Sequence, residues 1–595
     1  MQERAHDPVE GLVPEAVPPP VFYRSVREFL RQLPGVQQRF WLLVVATGAV
    51  AGLGAGGLLE LLELVKRLAW GRGAAGQSFV SVVASSSPLR TVLVPALAGA
   101  IITAGGFFYP RPIAGHGTAG IIEAIWVHKG RLALGRTLLR AVLAILSVAM
   151  GASLGREGAL VSTGAASGSW LAERLQLTKR QARLLVACGA ASGIAAAYDT
   201  PIGGALFGLE VLLGSFALEL LGPIVVSTVT ATIIARLLSP GHPGYEIPEY
   251  SLLEPAHVLA GLMLAPVLGI ASVVYVRAIA WVEVAFYRVP RRAARFLPPL
   301  GLAIVGAAAI VFPQLLGNGY DTVNSALLGQ IPLGLLLALP FLKLAATSLC
   351  AGVGVPGGLF TPSLFYGALL GGGLGELLQR VFPAMQAPSG AFALVGMAGV
   401  LAGTTHAAVS SVLIIFELTG DYGVILPLML CAAVAAATSR ALEPDSLYTA
   451  PLRRRGVKLP ELPRPEWLRG TQAAALLRRD VERVQPSLAF QPLLMRLLAL
   501  PRGCDLYVVD GDGVLLGVVM LDTLKGNIPD ERHLSMIVAA DVMDSTVPSL
   551  TPAMSLSEVA ARFAEADHER LPVVDDRGRL AGAISKSDVL KHGKF

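Results

Sequence analysis

Four short segments of this chain place glycine, hydroxyl or charged residues inside otherwise apolar sequence: Gly115-His116-Gly117-Thr118-Ala119, Gly155-Arg156-Glu157-Gly158-Ala159, Gly358-Leu359-Phe360-Thr361-Pro362 and Asp445-Ser446-Leu447-Tyr448. Each Gly-rich segment precedes an apolar run and so suits a helix N-terminus, where free amide donors and the positive dipole end favour an anion. Several such termini converging would replace an anion's hydration shell, and the Tyr448 hydroxyl adds a donor. The Arg156-Glu157 pair costs about 2.5 to 3.5 kcal/mol per charge on insertion scales, so it needs a reason. A carboxylate at a helix N-terminus can occupy the place of a transported anion, and protonating it removes the competitor. A capping or salt-bridging pair on a loop accounts for the same two residues.

The elements that hold these segments follow from composition. Of 595 residues 53% are hydrophobic and only 15% charged, with 65 Gly and 40 Pro, whereas a soluble domain carries roughly 25% charged residues. A Gly- and Pro-rich apolar chain fits packed, broken membrane helices better than a β-barrel. Long apolar stretches start near Phe40, Thr91, Leu132, Leu184, Phe216, Leu259, Phe296, Leu333, Leu364, Phe392 and Val424. Several fall short of the ~20 residues of a straight span. Helices that break near the bilayer centre are expected.

Charge changes abruptly along the chain. Residues 457–595 hold 36 Asp, Glu, Lys and Arg, about 26%, against about 12% before Val457, so a soluble tail follows the membrane body. The expected organisation is an N-terminal segment 1–38 with an amphipathic helix at Val21–Leu33, a membrane domain 39–456, a linker 457–470, and two α/β units at 471–526 and 541–595. The second unit reads as strand, turn and strand over Leu571–Ser585 with helices at Leu556–Ala566 and from Ser587, and the first repeats it weakly with Leu506–Val509, a turn at Asp510–Gly513 and Val514–Met520. Arg288, Arg291, Arg292, Arg295 and Arg453–Arg455 mark the cytoplasmic side, which puts the tail in the cytoplasm. The acidic, Pro-rich start, Met1–Pro20, does not read as a cleaved signal peptide. The four cysteines, Cys188, Cys350, Cys431 and Cys504, show neither disulfide nor zinc spacing. A net charge of +6 is modest for the length, and no nucleic-acid partner is expected. Gly352–Gly357 is a literal GxGxxG without a strand-turn-helix setting, and HExxH and GxSxG are absent.

Taken together, the four segments resemble the CLC family of chloride channels and chloride/proton exchangers, in family order, over Phe40 to about Gly456. The resemblance implies an all-α polytopic fold of inverted repeats of broken, tilted helices, and a homodimer with one anion pathway per subunit, with no cofactor required. GREGA is similar to the family's GREGP, which makes Glu157 the gating glutamate. GGLFTP resembles the loop whose amides, here of Phe360 and Thr361, coordinate chloride, and Tyr448 resembles the family's central tyrosine. The implied anion-binding set is Gly115, His116, Gly117, Gly155, Arg156, Gly158, Phe360, Thr361 and Tyr448. His116 stands where the family has serine, so an imidazole N–H replaces a hydroxyl donor or the ring turns away and backbone amides alone bind. AAAYDTPIGGALFGLEVLL resembles the segment that carries an internal proton-relay glutamate in exchangers; that position is Val211 here, with Glu210 one residue earlier and about 100° away around a helix.

The tail resembles a pair of CBS domains. Ser585-Lys586-Ser587-Asp588 matches the pattern in which the hydroxyl meets a phosphate and the Asp a ribose, so an adenine nucleotide, ATP or AMP, is a candidate partner; Asp588 as a simple helix cap is the alternative. The first unit, with Met520-Leu521-Asp522-Thr523, lacks both groups in register. The resulting expectation is gated, channel-like chloride transport without enzymatic activity, in a bacterial inner membrane. The alternatives are a chloride/proton antiporter without the usual internal glutamate and, from other classes, a CBS-regulated cation transporter, which needs acidic groups aimed into a pore, or a membrane enzyme.

Overall fold

The computed structural model describes residues 36–71, 78–107, 117–238, 245, 248, 250, 255–383, 387–457, 472–500, 505–521, 537–565 and 568–592. The amphipathic segment at Val21–Leu33, the residues Gly115 and His116, and the pair Asp522-Thr523 lie outside them. Two compact units, 1–460 and 461–595, divide within the expected linker.

Among the described residues of the first unit, six helices are long and apolar enough to cross a bilayer: Gln38–Trp70, Pro88–Gly106, Leu218–Leu238, His257–Tyr287, Leu333–Gly352 and Tyr422–Leu442. Shorter helices lie between them. The elements used below are α1 (Val36–Trp70), α2 (Gly117–Trp126), α3 (Leu134–Ala149), α4 (Glu157–Arg174), α5 (Lys179–Tyr198), α6 (Pro201–Phe207, continuing as a π turn to Leu213), α7 (Leu218–Leu238) and α8 (Pro255–Tyr287). The second half supplies α9 (Leu333–Gly352), α10 (Phe360–Val381), α11 (Ser389–Thr405), α12 (Ala408–Thr419), α13 (Ile425–Leu442) and α14 (Ala450–Arg454). Most apolar stretches begin within a few residues of a helix, but α2, α4, α6 and α12 start none of them. Helix α4 is rich in Ser, Thr and Gly and nearly all buried, so it answers to protein neighbours and not to lipid.

Helices α3 to α7 are repeated as α9 to α13. Helices α5 and α11 both stop on a left-handed residue, Asp199 (φ 61°) and His406 (φ 58°), and the next residues, Thr200 and Ala407, share φ/ψ near −122/79° and −125/80°. The tight contact of α4 with α5 is made at Gly164 and Gly189, where a Cβ on either would collide with the other's carbonyl oxygen. Gly367 and Gly396 make the same contact between α10 and α11. Such small-residue crossings let backbones approach without lipid between them. The copies meet at Gly155 and Gly358, which exchange N–H···O bonds of 2.8 Å in both directions, a local twofold relation that makes the repeats inverted.

In the second unit β1 (Arg483–Val484), β2 (Leu506–Val509) and β3 (Leu515–Val519) form one sheet, β1 parallel and β3 antiparallel to β2. Helix α15 (Phe490–Ala499) connects β1 and β2, and α16 (Leu556–Glu565), the hairpin β4 (Arg570–Val574) and β5 (Leu580–Ser585), and α17 (Lys586–His592) complete the chain. Tyr507, Val509 and Val518 of the first module pack with Leu580 and Ala583 of the second, so the two hairpins share apolar side chains.

Candidate functional site

The reciprocal bond between Gly155 and Gly358 places the starts of α4 and α10 side by side. Glu157 is the first residue of α4 and is buried. Its Oε1 accepts from the amides of Phe360 (2.8 Å) and Thr361 (3.1 Å), the first two residues of α10, and its Oε2 accepts from the Thr361 hydroxyl (2.7 Å). The carboxylate therefore caps a helix, but the helix belongs to the opposite repeat. Gly155 and Gly358 leave room for it, since a Cβ on either would strike its oxygens. Charge-assisted hydrogen bonds contribute about 1.5 to 3 kcal/mol each, and desolvating an ion costs several kcal/mol. The two terms are of similar size, so these bonds offset most of the cost of burying the charge.

Arg156 is no partner for it. No ion pair joins Arg156 to Glu157 among the described residues, which removes the salt-bridging reading. The guanidinium lies over the Tyr320 ring, 4.9 Å from its centroid, with Nη2 reaching the Ala197 carbonyl at 3.4 Å and Nε unpartnered. Tyr320 stacks in turn on Tyr245 at 4.6 Å. Gly155, expected among the anion donors, has its amide committed to the Gly358 carbonyl. Gly117 opens α2 and lies against Gly158 and Ser162 of α4, and Gly117, Gly158, Ser162 and Arg140 of α3 line one cleft.

Tyr448 is buried just before α14 and forms an edge-on contact with Phe207, 6.0 Å between centroids; Phe207 meets Phe360 at 6.1 Å. Aromatic rings thus join Tyr448 to the start of α10. Sequence reasoning missed Tyr198, the last residue of α5. Its hydroxyl lies 2.8 Å from Thr361 Oγ1 and its ring 5.0 Å from that of Phe360. The one available signal was a hydroxyl at the end of an apolar, Ala-rich helix, directly before Asp199-Thr200-Pro201.

Val211 is half-buried in the π turn. Glu210 accepts from the Ser410 amide (2.7 Å), the Ser410 hydroxyl (2.6 Å) and the Val409 amide (3.4 Å), at the start of α12. Glu417 of α12 does the same for α6, accepting from Ile202 (2.9 Å) and Gly203 (2.6 Å) amides. The two carboxylates are exchanged between repeats as reciprocal caps.

In the tail, the Ser585 hydroxyl accepts the Asp588 amide at 3.1 Å and so caps α17. The Asp588 carboxylate receives Nε and Nη2 of Arg478, both at 2.7 Å. The cap is therefore Ser585 and not the Asp588 carboxylate expected in that role, whose oxygens face an arginine of the same unit.

The family model described as voltage gated chloride channel matches residues 96–440. The chain belongs to the voltage gated chloride channel family. A CBS domain model matches residues 538–594 of this CLC protein. It is 37% identical over 418 residues to a putative chloride channel protein ClcB-like of Ralstonia nicotianae, covering 68% of this chain and 96% of that one. It is 34% identical over 429 residues to the voltage-gated ClC-type chloride channel ClcB of Escherichia coli O139:H28, with 68% and 97% covered. Among solved structures, a slow cyanobacterial Cl−/H+ antiporter aligns with TM-score 0.63 at 22% identity over 71% of this chain and 99% of its own. A eukaryotic CLC transporter aligns with TM-score 0.60 at 19% identity over 95% and 98%. These likenesses establish the fold. Together with the six apolar spans, they make this CLC chain an integral membrane protein.

Proposed function

We propose that the protein conducts chloride passively across a bacterial inner membrane, as a homodimer with the CBS tail in the cytoplasm, and that Glu157 gates each pathway. The observation that carries this reading is the Glu157 carboxylate seated on the Phe360 and Thr361 amides: it occupies a cradle that would otherwise serve an anion. Gly117, Gly158 and Tyr448 extend that cradle along the path, and Arg156 draws anions toward it. Protonating Glu157 removes the charge that the amides hold, so flux rises as pH falls. The name of the Ralstonia relative, a putative chloride channel, agrees with the ion.

The rival is a chloride/proton antiporter. Val211 carries no proton, and Glu210 is committed to capping α12, which supports the passive reading. Liposome flux followed for chloride and protons together tests it. Chloride efflux without proton movement is expected, and uphill proton uptake driven by a chloride gradient would assign the antiporter instead. For the tail, we infer that ATP or AMP reaches Asp588 only in competition with Arg478.

A further inference from the structure

Thr361 Oγ1 has one proton and two lone pairs. Against an ionised Glu157, that proton points to Oε2, 2.7 Å away. The Tyr198 hydroxyl, 2.8 Å from the same oxygen, must then be the donor to Thr361. The chain of bonds is directional: Tyr198 O–H to Thr361 Oγ1, Thr361 O–H to Glu157. Donation into Oγ1 polarises the Thr361 O–H bond and strengthens its hold on the carboxylate. All three residues are buried, where water does not replace a lost donor.

We propose that Tyr198 is a positioning residue that latches the gate, holding the Glu157 carboxylate on the anion cradle through Thr361. The inference rests on Glu157 being the gate and adds what sets its strength. The charged and titratable groups around the carboxylate are Arg156 at the start of α4, Tyr275 of α8, Tyr320, Tyr245 and Tyr448. Tyr275 donates to the Leu359 carbonyl at 3.0 Å, and Arg156 lies on Tyr320. Tyr198 completes the set, and its hydroxyl bonds the Thr361 oxygen that in turn bonds the carboxylate.

The test is chloride flux from liposomes against pH for Tyr198→Phe, which keeps the ring contact with Phe360. Losing the donor disfavours the ionised, seated carboxylate, so protons and chloride both displace it more readily. The pH of half-maximal flux should rise by about half to one unit, and flux at neutral pH should increase about three- to tenfold. Thr361→Ser, which keeps the hydroxyl, should restore wild-type behaviour relative to Thr361→Val, and Tyr198→Phe should add nothing in the Thr361→Val background. An unchanged midpoint for Tyr198→Phe, or a full shift persisting without the Thr361 hydroxyl, would overturn the latch. Glu157→Gln separates this from the parent reading. If that variant loses its pH dependence while Tyr198→Phe has no effect, the gate stands without a latch; if Glu157→Gln keeps its pH dependence, both fall.

Discussion

The starts of α4 and α10 share a backbone and differ in what they carry. Each begins two residues after a glycine of the Gly155–Gly358 exchange. The first repeat places a carboxylate at the first helical position, Glu157; the second places Phe360 there and leaves its amides for that carboxylate. One pair of acids is kept in matched places, since Glu210 and Glu417 cap one another's helices. A carboxylate with a counterpart in the other repeat fits a role that both copies need, namely folding. Asp199 also lacks an acidic counterpart, but it pairs with Arg236 at an exposed site; Glu157 lacks one and is buried at the interface of the repeats, where transporters of this architecture place their binding sites.

The largest expected effect is therefore at Glu157. Glu157→Gln should abolish the pH dependence of chloride flux and leave the pathway open at neutral pH, measured in liposomes across pH 5 to 8. A pH profile like the wild type's would mean that the asymmetry between repeats is incidental. Next come the symmetric acids. Glu210→Ala and Glu417→Ala each strand amides at a helix start, and each should destabilise the protein by about 1 to 3 kcal/mol, read as similar falls in Tm in detergent. Both should retain pH-dependent flux. If Glu210→Ala altered proton movement while Glu417→Ala did not, Glu210 would be an internal proton group in place of the missing one at Val211, and the division between matched and unmatched acids would fail.

The parts of the site that were legible in sequence are those encoded locally. Gly155 to Gly158 and Gly358 to Pro362 announce helix starts because a glycine-rich approach and an unsatisfied turn of amides are properties of a few consecutive residues. The tail hairpins were legible for the same reason: the turns at Asp510–Gly513 and Asp575–Gly578 and their flanking alternation fix β2, β3, β4 and β5 nearly to the residue. The bonds of Tyr198 to Thr361, 163 residues apart, and of Glu210 to Ser410, 200 apart, depend on how two repeats dock, and no local pattern contains that. A signal was nonetheless present. Gly155, Gly164 and Gly168 recur 203 residues later as Gly358, Gly367 and Gly371, and Glu210 recurs 207 later as Glu417. Glycines survive divergence because their close approaches admit no side chain, whereas the buried residues between them can change together with the side chains they pack against. Aligning the chain with itself on those glycines would have paired Glu157 with Phe360 and shown an acid at a helix start that the other repeat lacks.

The smallest effect belongs to the tail, where no repeat symmetry ties the acid to a folding role. Asp588 is mostly buried, but Arg478 is about half exposed (13% and 54% side-chain exposure), so their bidentate pair is screened by water and contributes about 1 kcal/mol or less. Arg478→Ala should then lower the melting temperature of the tail little, while removing both guanidinium donors from the carboxylate. If Arg478 competes with a ribose for Asp588, calorimetry on the full-length protein should show ATP or AMP binding several-fold more tightly to Arg478→Ala than to wild type, with the gain lost in Arg478→Ala/Asp588→Ala. Equal affinities would place any nucleotide away from Asp588. The bond from the Asp588 amide to Ser585 does not involve the carboxylate; α17 should therefore stay capped in both variants, and a change in nucleotide affinity would report the carboxylate alone.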